Sequence, residues 1–183
     1  MAVSAPLRAL FCLALALACA STPARAAEAF PPAATYTVAF SPGNALDTVV
    51  EAIREAKGTI YIAAYSFTSR VVATELRRAA QRNVKVFVVA DATDATKRYS
   101  ATRYLANQGI PVRINGQFAI QHNKFMVIDE ATVQTGSLNY TAAAAERNAE
   151  NVLVVRGAPQ LARLYREQWC RLWQGGTDLA PAY

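Results

Sequence analysis

From Tyr36 onward, short apolar runs alternate with stretches in which apolar residues recur every three or four positions, the pattern of strands and helices taking turns. Tyr36–Phe40 reads as a first strand, and Ser41-Pro42-Gly43-Asn44 as a turn leading into a helix. That helix, Ala45–Ala56, carries Leu46, Val49, Val50 and Ile53 on one face, and Lys57-Gly58 ends it. Thr59–Tyr65 reads as a buried strand, Arg70–Arg82 as a helix, and Val84–Ala90 as a strand with almost no polar face. Strands that are apolar on both faces, joined through a helix, predict parallel pairing inside an α/β sandwich. The stretch Asp94–Asn107 follows as a polar loop and a helix closed by Gly109, and Val112–Ile114 as a short strand. After a hairpin come a helical turn at Thr141–Arg147, a strand at Asn151–Val155 and a last helix, Pro159–Trp173. Leu161, Leu164, Tyr165, Trp169, Leu172 and Trp173 form that helix's apolar stripe, which reads as core with a partner interface as the alternative. The fold class expected is therefore α/β, a mixed, largely parallel central sheet flanked by helices in one domain.

The hairpin carries the chemistry. Lys124–Ile128 is apolar and β-prone, Ala131–Thr135 is its return partner, and Asp129-Glu130 is the turn between them. Side chains alternate along a strand, so His122 and Lys124, two apart, project to the same side. A tight hairpin returns Gly136-Ser137-Leu138-Asn139 beside His122. Imidazole, ammonium, hydroxyl and carboxamide would then converge, a set able to attack phosphorus and hold its anionic oxygens without a metal.

The N-terminus alters the picture of the mature chain. Arg8, the apolar run Ala9–Ala20 and the small residues before Ala26 read as an export signal cut after Ala26, so the protein is expected in the periplasm or secreted. The apolar run is short for a membrane span, which needs about 20 residues. Residues 27–35 read as a disordered leader, 36–176 as the domain and 177–183 as a C-terminal tail. Export removes Cys12 and Cys19 and leaves only Cys170, so no internal disulfide can form. It also removes Arg8 and Arg25, lowering the formal charge from +6 to +4. Such a mildly basic surface suits nucleic acid and an anionic membrane equally, and it also suits a merely soluble protein. One histidine and one mature cysteine cannot build the usual zinc clusters, while an all-carboxylate magnesium site stays open.

His122-x-Lys124-x4-Asp129-x6-Gly136-Ser137-x-Asn139 resembles the signature of the phospholipase D superfamily, without gap or substitution. Ala64–Thr68, Asn107-x-Gly109-Ile-Pro111 and Asn148–Asn151 resemble segments of its small bacterial Nuc-type endonucleases, so the likeness covers nearly the whole mature chain. The resemblance implies the phospholipase D/nuclease fold and hydrolysis of phosphodiester bonds with no cofactor and no metal. It implies His122, Lys124, Asn139 and Glu150 as catalytic residues, Glu150 orienting the histidine ring. Ser137 and Gly136 support the phosphate, while Asp129, at the far end of the strand from His122, reads as structural or as part of an interface.

Cleavage through imidazole needs an unprotonated ring to attack phosphorus and a protonated group to protect the departing oxygen. One ring cannot do both in one step, and larger members of the superfamily carry the signature twice. This chain carries it once, so the expectation is a homodimer with the active site on its two-fold axis, His122 of one subunit as nucleophile and His122 of the other as acid. The leading expectation for substrate is DNA, with RNA also open, tracked by cations such as Lys97, Arg98, Arg103 and Arg113. The alternatives are a phospholipase D acting on lipid head groups, against which the sequence offers no obvious membrane-inserting loop, and an inactive nucleic-acid-binding module.

Overall fold

In the computed structural model, which describes residues 33–95 and 100–182, the chain begins with β1 (Thr35–Ser41), α1 (Ala45–Glu55) and β2 (Thr59–Ala64). Next come α2 (Arg70–Gln81), β3 (Lys85–Asp91), the short α3 (Ala92–Ala95), α4 (Ala101–Asn107) and β4 (Val112–Asn115). The second half holds the hairpin β5 (Phe125–Ile128) and β6 (Thr132–Gly136), then α5 (Ala142–Glu146), β7 (Glu150–Arg156), α6 (Pro159–Gln174) and β8 (Thr177–Asp178). The predicted export signal and most of the predicted leader lie outside the described residues, as do Lys97 and Arg98.

All the strands join one sheet in the order β1-β7-β6-β5-β2-β3-β4-β8. The sheet is mixed, as expected, but its parallel part is smaller than the expected "largely parallel". Only β2–β3 and β3–β4 run parallel, through the crossovers carried by α2 and by α3 with α4. The other pairings are antiparallel, because β5, β6 and β7 follow one another by short returns and β1 closes against β7. Residues 177–178, inside the segment read as a tail, pair with β4 as a two-residue edge strand.

Alternation along the strands fills two cores. Ile60, Ile62, Met126 and Ile128 face α1 and α2 with Val49, Ile53, Val72 and Leu76. Ala63, Phe125, Val127 and Val133 face the other way, against Trp169 and Leu172 of α6. The α6 stripe is therefore core, anchored by a hydrogen bond from Trp169 Nε1 to Ile62 O at 2.9 Å. Leu164 alone among the stripe residues remains exposed. Ser69, Ser100 and Thr141 cap α2, α4 and α5 through side-chain oxygens that accept main-chain N–H groups, fixing where each helix begins. Just before α2, the N–H groups of Thr68 and Ser69 both donate to Tyr140 O, tying the β2–α2 loop to the segment that follows β6. This brings the carboxyl end of β2 and the outgoing end of β6 to the same edge of the sandwich.

Candidate active site

The β5–β6 hairpin turns through Asp129 and Glu130, both at positive φ (51° and 53°), as a tight connection between right-twisted strands requires. Asp129 does more than turn. Its Oδ1 accepts from the N–H groups of Gly58 and Thr59 at 2.7 and 2.8 Å, and its Oδ2 accepts from Lys57 N at 2.8 Å. The signature carboxylate thus locks the turn before β2 to the hairpin, at the end of β5 away from His122, in keeping with a structural reading.

At the opposite end, the residues before β5 are held by main-chain contacts that sequence reasoning missed. Gln121 N donates to Asp91 Oδ2 at 2.7 Å, while the Gln121 side chain donates to Ala64 O at 3.1 Å and accepts from Asn123 N at 2.7 Å. His122 lies between these bonds, exposed, with the Tyr65 ring tilted against its imidazole at a centroid distance of 4.5 Å.

Lys124 is buried beside it. Its Nζ donates to His122 O at 2.7 Å and lies 3.0 Å from His122 Nδ1, and it sits 5.2 Å from the Tyr65 ring centre. An ammonium can only donate, so in this arrangement Nδ1 accepts and the neutral ring keeps its proton on Nε2; attack by Nε2 needs the other tautomer, and acid catalysis needs the doubly protonated ring. Burial pushes the Lys124 amine below the ordinary lysine range, and the negative charge of Glu150 opposes that shift in part.

Glu150 itself opens β7. Its carboxylate accepts from Ser137 Oγ at 2.5 Å and from Asn148 Nδ2 at 3.0 Å. Within one chain, then, it is Lys124 rather than Glu150 that meets the imidazole nitrogen. Ser137 Oγ also accepts from Asn151 N at 3.0 Å, so its hydroxyl bridges the start of β7 and the end of β6. Gly136 makes that bridge possible: a Cβ at its φ of 150° would stand 2.2 Å from Asn151 O. Asn139 is half-buried, its carboxamide oxygen enclosed with no hydrogen-bond partner, and it bonds to neither His122 nor Lys124. The hairpin register, with Phe125 opposite Thr135, puts Lys124 and Gly136 one step outward on facing strands.

The structure therefore forms two joined pairs, His122 with Lys124 and Ser137 with Glu150. Of the cations proposed to track a phosphate backbone, Arg103 is half-buried on α4. Arg113 is engaged with Asp178 Oδ1 at 2.7 Å and stacked on Trp173 at 4.8 Å. Beside the site, Phe118 and Ile120 of the loop before His122 are 54% and 51% exposed, an apolar rim the sequence did not reveal. Among the described residues, no three histidine, cysteine, aspartate or glutamate side chains gather in a way that could hold a metal ion.

Comparison with known proteins identifies the family. The family "Cardiolipin synthase, PLD-like domain" matches residues 49–173. The phospholipase D of Rickettsia typhi is 35% identical over 128 residues, covering 70% of this chain and 62% of that protein. The human mitochondrial cardiolipin hydrolase is 30% identical over 131 residues, covering 72% of this chain and 52% of that one. The chain thus spans less than two thirds of the length of these relatives. Among solved structures, Nuc from Salmonella typhimurium, a phospholipase D family member, superposes with a TM-score of 0.79 at 40% identity, covering 81% of this chain and 99% of that one. NucT from Helicobacter pylori, at 22% identity and a TM-score of 0.73 over 80% of this chain and all of that one, shares the fold. The chain belongs to the phospholipase D superfamily, near its Nuc-type members.

Proposed function

We propose that this protein is an exported, metal-independent phosphodiesterase that cuts nucleic acid, foremost DNA, with little sequence preference. The observation that carries the proposal is the pair at the sheet edge: an exposed His122 imidazole held 3.0 Å from a buried Lys124 amine. A buried cation beside an accessible ring suits an anionic diester whose phosphorus the ring attacks. The 40% identity to Nuc over nearly all of that chain supports nucleic acid as substrate.

In the proposed reaction, Nε2 of one His122 attacks phosphorus and a P–N bond forms as the P–O bond to the leaving group breaks. The departing oxygen takes a proton from the imidazolium Nε2–H of a second His122, supplied by another copy of the chain and left neutral. Water then attacks the phosphohistidine, the P–N bond breaks, and the second ring takes up the water's proton. The single histidine supports this homodimer, since attack and protonation need two rings. The acid ring must be doubly protonated, so its Nδ1–H turns from the Lys124 ammonium to an acceptor. For the attacking ring, Nδ1–H must likewise face an acceptor, a part we assign to Glu150. Lys124 and Asn139 hold the non-bridging oxygens, with Ser137 and Gly136 shaping the seat.

Plasmid nicking by the purified protein in excess EDTA tests the proposal: relaxed and linear product is expected, and strict dependence on an added divalent metal would count against it. A second reading, cleavage of phospholipid head groups, is favoured by Phe118 and Ile120, whose exposed apolar side chains beside His122 could rest on acyl chains. Choline release from phosphatidylcholine vesicles, without plasmid nicking, would select it. Retained DNA binding with no turnover of either substrate would select the inactive module.

A further inference from the structure

We propose that Gln121 and Asp91 are positioning residues: a buried polar clamp that sets the His122 backbone from both sides and so aims the imidazole. Resting on the hydrolytic reading above, the inference adds two residues outside the superfamily signature to the machinery that serves it. Both side chains are almost fully enclosed, each 1% exposed. Buried polar groups of this kind persist when hydrogen-bonded, and each side-chain oxygen and nitrogen of this pair has a partner.

On one side of His122, Asp91 Oδ2 accepts from Gln121 N at 2.7 Å, while Oδ1 is fixed by Thr93 N at 2.8 Å and Thr93 Oγ1 at 2.6 Å. On the other side, Gln121 Oε1 accepts from Asn123 N at 2.7 Å and from Asn123 Nδ2 at 3.1 Å. Gln121 Nε2 in turn donates to Ala64 O at 3.1 Å, at the end of β2. The N–H groups of residues 121 and 123 are thus tied to the ends of β3 and β2, the two strands that form the parallel heart of the sheet.

This arrangement answers a problem the site would otherwise have. His122 precedes β5 and is exposed, so neither a ladder nor burial fixes its main chain. Attack on phosphorus needs the ring within a narrow range of position and angle, and a misplacement of about 1 Å costs on the order of 100-fold in rate. Holding residue 121 by its N–H and side chain, and the 122–123 peptide by its N–H, restricts the φ and ψ of His122 and through them the direction of Cβ.

The chain has one histidine, so its imidazole signals in a proton–carbon correlation NMR spectrum report His122 without assignment. Gln121→Met keeps the side chain's length and removes all its hydrogen bonds. Asp91→Asn breaks the other arm, because a carboxamide offers one oxygen where two are used. In each variant we expect the imidazole signals to broaden or double, kcat on plasmid to fall about 10–100-fold, and KM to stay within about twofold. Wild-type imidazole signals with kcat within about twofold would overturn the clamp, as would loss of kcat that only tracks the unfolded fraction. Failure of both variants to fold would assign the pair to stability and equally overturn a positioning role. Should the wild type prove hydrolytically inert, the functional reading fails, while the free protein's imidazole spectra still decide the clamp.

Discussion

At one end of the β5–β6 hairpin, Asp129 binds three main-chain N–H groups with its two carboxylate oxygens; at the other, the Lys124 amine meets the His122 carbonyl and Nδ1 and leaves the imidazole open to solvent. Both ends belong to one short signature, yet the first is saturated with bonds inside the chain and the second is not. Asn139 Oδ1, enclosed without a partner, and Lys124, its amine lowered by burial, also lie at that second end. Groups left unmet or electrostatically strained inside a folded chain are the ones a ligand or second subunit can satisfy. The signature therefore joins a fastening to a reactive edge, and mutations at its two ends should separate stability from turnover.

The largest effect is expected at His122. His122→Ala should lower phosphodiester cleavage by at least about a thousandfold, since a nucleophile has no stand-in, while thermal melting stays near wild type because the side chain is exposed. Lys124→Met comes next, with an expected loss of about 100–1000-fold in kcat as transition-state charge loses its fixed cation. Its melting temperature should hold or rise, because removing a buried amine relieves a desolvation cost. Asp129→Ala should invert the pattern: a loss of about 2 kcal/mol of stability in denaturant titration, from N–H groups left without an acceptor, with kcat per folded molecule close to wild type. Comparable losses of turnover at both ends would erase the distinction.

The smallest effect is a shift in pH dependence. Because burial lowers the Lys124 amine below its usual 10.5, Lys124 loses its charge at lower pH than an ordinary lysine, and the alkaline limb of kcat should begin correspondingly early. The linkage to stability runs the same way. The folded chain binds this proton less tightly than the unfolded one, so the destabilising contribution is full below the folded value and fades as pH rises from there towards 10.5. A pH–rate profile in the wild type, repeated with Lys124→Met, checks whether that limb disappears with the amine.

The parts of this molecule legible in the sequence are those fixed by local pattern. The apolar run Phe125–Ile128, the helical stripe of α6 and the turn at Asp129-Glu130 all follow from residues within a few positions of one another. The signature likewise placed the site at the hairpin's open end. What escaped depends on distant partners. Gln121 looks like an ordinary loop residue until it meets Asp91 and Ala64, 30 and 57 positions away. Arg113 looked free to track phosphate until Asp178, 65 positions on, took its guanidinium. The balance of the sheet was misjudged because apolar runs such as Val86–Val89 announce buried strands but not the direction in which β5, β6 and β7 return. The two-residue β8 is too short to carry any periodicity.

The central claim is that two copies of His122 share one metal-free cut, and trapping the covalent intermediate tests it most directly. Purified protein would be mixed with a phosphorus-labelled diester in excess EDTA, quenched in denaturant, and the label located by peptide mapping. The account predicts an acid-labile, alkali-stable label on His122, at no more than one per two chains, absent from His122→Ala. Label on another residue, or stoichiometric label on a fully active monomer, would contradict it.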